Sequence, residues 1–447
     1  MTGDTQALRG RAVTFADDPF LHPAQDCLVH HEDALILTAG GRIAAFGPYA
    51  ELAPSLPEGV EPVRYDDAIL SAGFVDAHVH YPQLTMVGAY GEQLLEWLQR
   101  YTFPAERAFA DPAHAGRMAD LFLRELLRGG TTTAMVYCTV HPHSVDAFFA
   151  ESARFGTRMI AGKVLMDRNA PADLLDTAER GYRESTDLIA RWHGQGRHHY
   201  AVTPRFAPSC TSAQLDAAGT LLREHDGVYL QTHLCENPAE IAWVRELFPE
   251  RASYLDVYAQ AGLVGRRSVL GHAIHVHEED FCTCHAQGAA IAHCPTSNLF
   301  LGSGLFRLFD AADPRRPVRV GLGTDIGAGT ALCQLRTLGE AYKVAALQGG
   351  RLDAVRAFYL ATSGGARALS LDDRIGRLAP GHDADIVVLD PRATPVLEAR
   401  TARSESIEDL LFALMTLGDD RAVRATWVAG TCVYNRDRAA PFRHAGA

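Results

Sequence analysis

The stretch Leu70–His80, LSAGFVDAHVH, decides the fold. It reads as one apolar strand closed by two histidines. Side chains two apart on a strand point the same way, so His78 and His80 share a face and can hold one metal ion, with Val75, Ala77 and Val79 turned toward helices. His-x-His recurs at His141/His143 and His275/His277, and a chance pair is the bland expectation in a chain with 20 histidines. Position separates them: His141 and His143 straddle Pro142, and His275 and His277 lie past a strand end beside Glu278-Glu279-Asp280. Only His78 and His80 close an apolar strand.

Working outward, short β-branched or apolar runs alternate with longer amphipathic ones from Thr131 to Asp325, the pattern of βα units around a parallel sheet. After the opening strand come Thr131–Cys138, Arg158–Asp167, His199–Phe206, Val228–Leu234, Ser268–Ile274, Ala289–Cys294 and Arg319–Asp325. Eight strands are what a closed (β/α)8, TIM-like barrel needs. Helix ends are marked as well. The run Met118–Arg128 stops at Gly129-Gly130, and after strand five Asn237 can cap, Pro238 takes the first helical position and Glu240 sits three after the cap. Glu236 is thereby left in the turn before a helix, on the C-terminal face of the barrel.

The ends of the chain differ. Leu35–Gly47, Ile375–Asp390 and Ala425–Tyr434 read as short strands joined by glycine turns, and Ala393–Ser406 as a loop. The expected fold class is therefore α/β: a catalytic barrel over residues 72–375, and a small β-sandwich domain built from 1–71 and 376–447. A length of 447 residues gives a prior of roughly three domains, which tolerates one barrel of about 250 residues plus an appendage.

At 47% hydrophobic and 21% charged residues the composition is that of a globular protein, not a disordered or fibrous one. Asp plus Glu outnumber Lys plus Arg by 54 to 42, and a net charge of -12 repels a phosphate backbone, so nucleic acid is excluded as a partner. The nine cysteines include no C-x-x-C and sit mostly in apolar runs, which fits a reducing compartment. No signal-peptide h-region and no run of 18 apolar residues is present, so neither secretion nor a membrane span is expected.

Further histidines and acids recur at strand ends: His233 in QTHLCEN, His272 in LGHA, His293 in AHCPTSN and Asp325 in GLGTD. One such residue is usually a core histidine. Repetition at strand C-termini points to the face where barrel active sites form.

Together, His78-x-His80, His233, His272 and Asp325 on eight βα units enclosed by terminal strands resemble the metal-dependent amidohydrolase superfamily. Within it, Leu94–Arg107 (LLEWLQRYTFPAER), Thr203–Ser209 (TPRFAPS), His293–Gly304 (HCPTSNLFLGSG) and Gly321–Gly327 (GLGTDIG) are similar to the guanine deaminase family, over about Ser71 to Leu389. The resemblance implies one Zn²⁺ per chain held by His78, His80, His233 and Asp325, with one water completing the site. Binuclear members carry a bridging lysine at the end of strand four; here that strand reads HYAVTPRF, and Lys163 lies on strand three, so a mononuclear site is expected.

The implied chemistry is hydrolytic deamination of guanine to xanthine and ammonia. Zinc lowers the pKa of its water, Asp325 accepts that water's proton, Glu236 protonates a ring nitrogen and passes a proton to the leaving amine, and His272 orients the attacking oxygen. Gln83, Arg205 and Phe206 are expected to bind the purine, and Trp97 to wall the pocket, although an amphipathic helix with a buried tryptophan would look the same. The resemblance also implies a cytoplasmic homodimer.

Three other readings compete. A neighbouring aminohydrolase for 8-oxoguanine, an adenosine-type nucleoside or a triazine shares the metal set. The small zinc deaminases need H-x-E with P-C-x-x-C; His30-His31-Glu32 and His277-Glu278-Glu279 supply the first half, but the second is missing. Relatives that have lost their ligands serve as assembly proteins, whereas every ligand position is filled here.

Overall fold

The computed structural model describes residues 5–438. The N-terminal segment supplies strands β1 (Gln6–Phe15), β2 (Leu28–Ala39), β3 (Arg42–Pro48) and β4 (Val63–Ala72). The barrel follows as β5 (Phe74–His80), β6 (Thr131–Tyr137), β7 (Arg158–Gly162), the two-residue β8 (Val164–Leu165), β9 (His199–Pro204), β10 (Tyr229–Leu234), β11 (Ser268–His272), β12 (Ala290–His293) and β13 (Arg319–Leu322). The chain then returns to the first sheet with β14 (Ile386–Leu389), β15 (Val423–Val428) and β16 (Thr431–Asn435).

Each of the eight expected barrel strands is present, in the spatial order β13-β12-β11-β10-β9-β7-β6-β5, with every neighbouring pair parallel. The circle is closed between the ends of β13 and β5. There the Asp325 N–H donates to the His78 carbonyl at 2.9 Å, and the Thr324 N–H donates to the buried Asp76 carboxylate at 3.1 Å. The helix Pro112–Arg128, capped by Asp111, turns Ala115, Ala119, Phe122 and Leu126 onto the barrel's outer face and ends at Gly129-Gly130, where Gly130 takes φ +81.

The stretch read as one strand is two. Leu70–Ala72 ends β4 in the terminal sheet, and Phe74 begins the barrel, because the backbone changes partners at Gly73. The Gly73 N–H donates to Asp385 and the next N–H, from Phe74, to Gly130. A Cβ on Gly73 would lie 2.3 Å from the Thr132 hydroxyl, so only glycine fits the crossing.

The alternation along β5 also departs from expectation. Val75 and Ala77 were expected to face the helices, yet they join Met135, Ile160, Ala201, Tyr229, Val269 and Ala290 in the cluster that fills the barrel interior. The β5–β6 register skips between Asp76 and Val79, a β-bulge that reverses the alternation. His78 and His80 therefore also point inward, while Phe74 and Val79 pack outside against the helices.

The terminal segments pair, as expected, in one small sheet domain, a continuous seven-stranded sheet in the order β16-β15-β14-β4-β1-β2-β3. Strong curling gives a sandwich-like core from a single sheet. Leu8, Ile36, Ile43, Leu70, Ile386 and Trp427, drawn from both edges and the centre, share one cluster. The edges meet where a Cβ on Gly41 would lie 3.3 Å from Ala429. On the opposite face, Val13, Ile69, Val387 and Leu389 pack against the barrel. The segment Ala393–Ser406, expected as a loop, contains the helix Pro395–Thr401, whose first turn is capped by the Thr394 hydroxyl.

Candidate active site

Strand ends converge on one side of the barrel, and several end in backbone that ordinary residues avoid. Cys235, His272, Ala273 and Asp325 have φ of +48, +68, +48 and +48. Such conformations cost on the order of 1–3 kcal/mol each and persist where the surroundings over-determine them. Here they turn β10, β11 and β13 sharply, so that the last side chains face a common centre.

At that centre the Nε2 of His80 lies 3.3 Å from that of His78 and 3.2 Å from that of His233. Asp325 Oδ1 is 3.4 Å from both His78 Nε2 and His80 Nε2. These are the separations of donor atoms held at about 2.0–2.1 Å from one tetrahedral cation. No hydrogen-bond logic explains three imidazole nitrogens facing one another, whereas a shared cation does. Burial, chiefly, pushes the pKa of His78, His80 and His233 below the ordinary imidazole value and holds them in the neutral, ligating form. The Nδ1–H of His233 donates to the carbonyl of Arg205 at 2.7 Å, which leaves its Nε2 lone pair for the centre.

Cys294 lies close to His78, His272 and Asp325, but burial and then the Asp325 charge push its thiol well above the usual range, so it stays protonated. Lys163 points elsewhere: it forms a buried pair with Asp176, with Glu184 at 3.3 Å, and is structural. Neither of the other His-x-His pairs reaches the centre. His143 Nε2 bonds to the Phe109 carbonyl and His275 Nε2 to the Ser303 carbonyl.

Glu236 sits beside this cluster, its Oε2 3.5 Å from His272 Nε2. The expected capping box forms: Asn237 accepts from Ala239 N–H, while Glu240 accepts from the N–H groups of Glu236 and Asn237 at 2.9 and 3.1 Å. Glu236 is thus fixed at the mouth of the helix Pro238–Leu247. Burial raises its pKa well above the usual carboxyl range; the Asp325 charge adds to this and Arg205 opposes it. A carboxyl whose pKa is raised by burial is suited to donating a proton as a general acid.

The cluster forms one wall of a cavity. Gln83, Arg205 and Phe206 line it, and so do Leu94, Trp97, Leu98 and Thr102 from the LLEWLQRYTFPAER segment. Trp97 is accordingly a wall residue. Gln83 follows β5 in a short 3-10 turn, and its amide has no hydrogen-bond partner among the described residues. His293 lies outside the cavity lining, fully buried against Phe306.

Four residues that sequence reasoning did not single out complete the site. Asp76 ties His78 to Thr324. Tyr137 stacks on the His80 ring at 4.3 Å. Glu106 pairs with Arg205, and Asn298 bonds to His272. Glu106 lies in Leu94–Arg107 and Asn298 in His293–Gly304, but their partners are far away in sequence.

A model of the amidohydrolase family matches residues 69–433. Over 406 residues the chain is 52% identical to guanine deaminase of Escherichia coli (strain K12), across 91% of this chain and 92% of that one. The solved structure of E. coli guanine deaminase superposes with a TM-score of 0.94 at 49% identity, covering 96% of this chain and 100% of that chain. A guanine deaminase from C. acetobutylicum, solved with guanine bound in its active site, superposes with a TM-score of 0.87 at 26% identity, covering 96% of this chain and 100% of that chain.

Proposed function

The chain belongs to the amidohydrolase family, and from that premise we infer that it hydrolyses guanine to xanthine and ammonia. The observation that carries the reading is the cavity, with His80, His233 and Asp325 on one side, the buried Glu236 carboxyl beside them, and the donors of Gln83 and Arg205 within the same enclosure. Relatives at 52% and 42% identity over most of the chain bear the names guanine deaminase and probable guanine deaminase.

We assign a single Zn²⁺ to His78, His80, His233 and Asp325, since three imidazoles and one carboxylate suit a borderline cation. Bound there, the ion supplies Lewis acidity that brings the ionisation of water toward neutral pH. The rest is done by side chains. Arg205 and Gln83 take the carbonyl and imine edge of guanine, and the Phe206 ring packs against the heterocycle. Asp325 accepts a proton from the attacking water as its oxygen bonds to the amino-bearing carbon, and Glu236 protonates the adjacent ring nitrogen. The ionised Glu236 takes up the proton of the new hydroxyl as it becomes a carbonyl and passes it to the amine, which leaves as ammonia when the carbon–nitrogen bond breaks; the proton left on Asp325 restores Glu236 to its acid form, so that guanine and water become xanthine and ammonia. His272 orients the attacking oxygen.

A cytoplasmic homodimer belongs to the same reading. All nine cysteines are free, and no helix of the described residues is long and apolar enough to cross a membrane. The test is loss of guanine absorbance with matching ammonia release by the purified protein. Turnover of 8-oxoguanine, an adenosine-type nucleoside or a triazine, with guanine inert, overturns the assignment.

A further inference from the structure

We propose that Asn298 is a positioning residue for the deamination reaction: it determines which ring nitrogen of His272 faces the cavity. The inference rests on the deaminase reading above and extends it to a side chain outside the cavity lining.

Asn298 lies in the helix Pro295–Phe300 and is 1% exposed. Its backbone is held on both sides, the N–H donating to the Cys294 carbonyl at 3.0 Å and the carbonyl accepting from the Ser303 N–H at 2.8 Å. Its Oδ1 lies 2.8 Å from His272 Nδ1. An amide oxygen only accepts, so this contact places the proton of a neutral imidazole on Nδ1 and leaves the Nε2 lone pair bare. Nε2 has no hydrogen-bond partner among the described residues; it stands 3.5 Å from Glu236 Oε2 and 3.8 Å from Asp325 Oδ2, on the cavity wall. His272 therefore presents an acceptor to a hydroxyl or water proton arriving between the two carboxyl groups.

A second observation separates this from simple packing. The Nδ2 of Asn298 is buried without a partner, a condition that costs about 1–3 kcal/mol. An apolar side chain of the same size would avoid that cost. The Oδ1 contact to His272 is thus the one hydrogen bond that justifies an amide here, and its benefit lies in the reaction. Without it, the ring can carry its proton on Nε2, which would offer a donor where an acceptor is required.

The experiment compares Asn298→Leu, similar in size but without an acceptor, with Asn298→Asp, which keeps the acceptor. Both are assayed on guanine, with zinc content and Tm measured in parallel. The expected result for Asn298→Leu is full zinc, KM within about twofold of the parent and kcat lower by about 10–100-fold, part of the 10²–10⁴-fold that a positioned proton-transfer group contributes. Asn298→Asp should recover most of that kcat. Normal kcat in a zinc-loaded Asn298→Leu overturns the proposal, as does an Asn298→Asp variant as slow as Leu despite full zinc. If Leu at this position prevents folding, Asn298→Ala takes its place in the same comparison. Failure of the guanine reading is distinguishable, because the unmodified protein would then leave guanine untouched.

Discussion

Arg205 and Glu106 form a buried ion pair, with Nη1 of the guanidinium 2.7 Å from Oε1 and 3.0 Å from Oε2 of the carboxylate. The pair joins the end of β9 to the helix Phe103–Arg107, directly after the segment that covers the cavity. Phe103 of the same helix lies under the guanidinium at 5.9 Å. Because the Arg205 carbonyl also receives the His233 Nδ1–H, one residue touches the cover, the cavity and a metal ligand. Among the described residues its side chain donates only through Nη1, which leaves Nη2 and Nε for a substrate.

Replacing Glu106 with Gln should therefore act on substrate binding first. The guanidinium would lose its counter-charge in a buried setting, where breaking a pair costs about 3–5 kcal/mol, and would reorient. We expect a lowered Tm, a KM for guanine raised at least about tenfold, and full zinc content. An unchanged KM with an unchanged Tm would show that the pair does not position Arg205.

Metal content offers a separate check. Unsupplemented protein should carry close to one equivalent of zinc, and a chelator should remove activity that added zinc restores. His233→Ala removes one of four assigned ligands, so its zinc and its activity should fall together. Two tightly held equivalents, both needed for turnover, would contradict the mononuclear assignment.

Much of this was legible in the sequence because barrel strands are buried on both faces and so appear as continuous apolar runs, with His233, His272 and Asp325 standing out at their ends. The bulge at Asp76–Val79 was not legible. It leaves the composition unchanged while reversing which residues face inward, so Val75 and Ala77 were assigned to the wrong side. Nor was the role of Glu106, since its partner lies 99 positions away and no periodicity links them. The Pro395–Thr401 helix was readable in principle. Thr394 followed by proline is a cap with a favoured first helical residue, hidden by the polar surroundings. Strands β1 and β4 carry charge at half-buried positions such as Arg9 and Arg11 and at exposed ones such as Asp66 and Asp67, which masks their alternation.

Stability should fall on mild acidification. Burial, aided by nearby arginines, lowers the pKa of both His198 and His199 to about 4. Between that value and about 6.5 the unfolded chain binds protons that the folded chain refuses, so stability is complete above about 6.5 and declines as pH drops toward 4. Each histidine contributes a slope of at most about 1.4 kcal/mol per pH unit. His198→Gln, which can keep a hydrogen bond to the Ser152 hydroxyl now 2.9 Å from Nε2, should flatten the decline in Tm between pH 7 and 5. A variant curve parallel to the parent's would remove His198 from the account.

The last prediction separates holding the metal from moving a proton. Glu236 is not among the atoms that surround the assigned cation position, yet its carboxyl is buried, has its pKa raised by that burial, and lies 3.5 Å from His272. Glu236→Gln preserves size and a hydrogen-bond donor but cannot release a proton to the ring or the leaving amine. Zinc content should survive the change, and guanine should still bind, since Gln83, Arg205 and Phe206 are untouched. The value of kcat should fall by roughly 10²–10⁴-fold, the usual loss when a general acid–base group is removed, with KM moving much less. With the tautomer inferred above, His272 is not a substitute, because its proton sits on Nδ1, the nitrogen 2.8 Å from Asn298 Oδ1 and away from the cavity. Loss of zinc in Glu236→Gln, or turnover near that of the parent, would remove Glu236 from the proton path and require another acid for the departing amine.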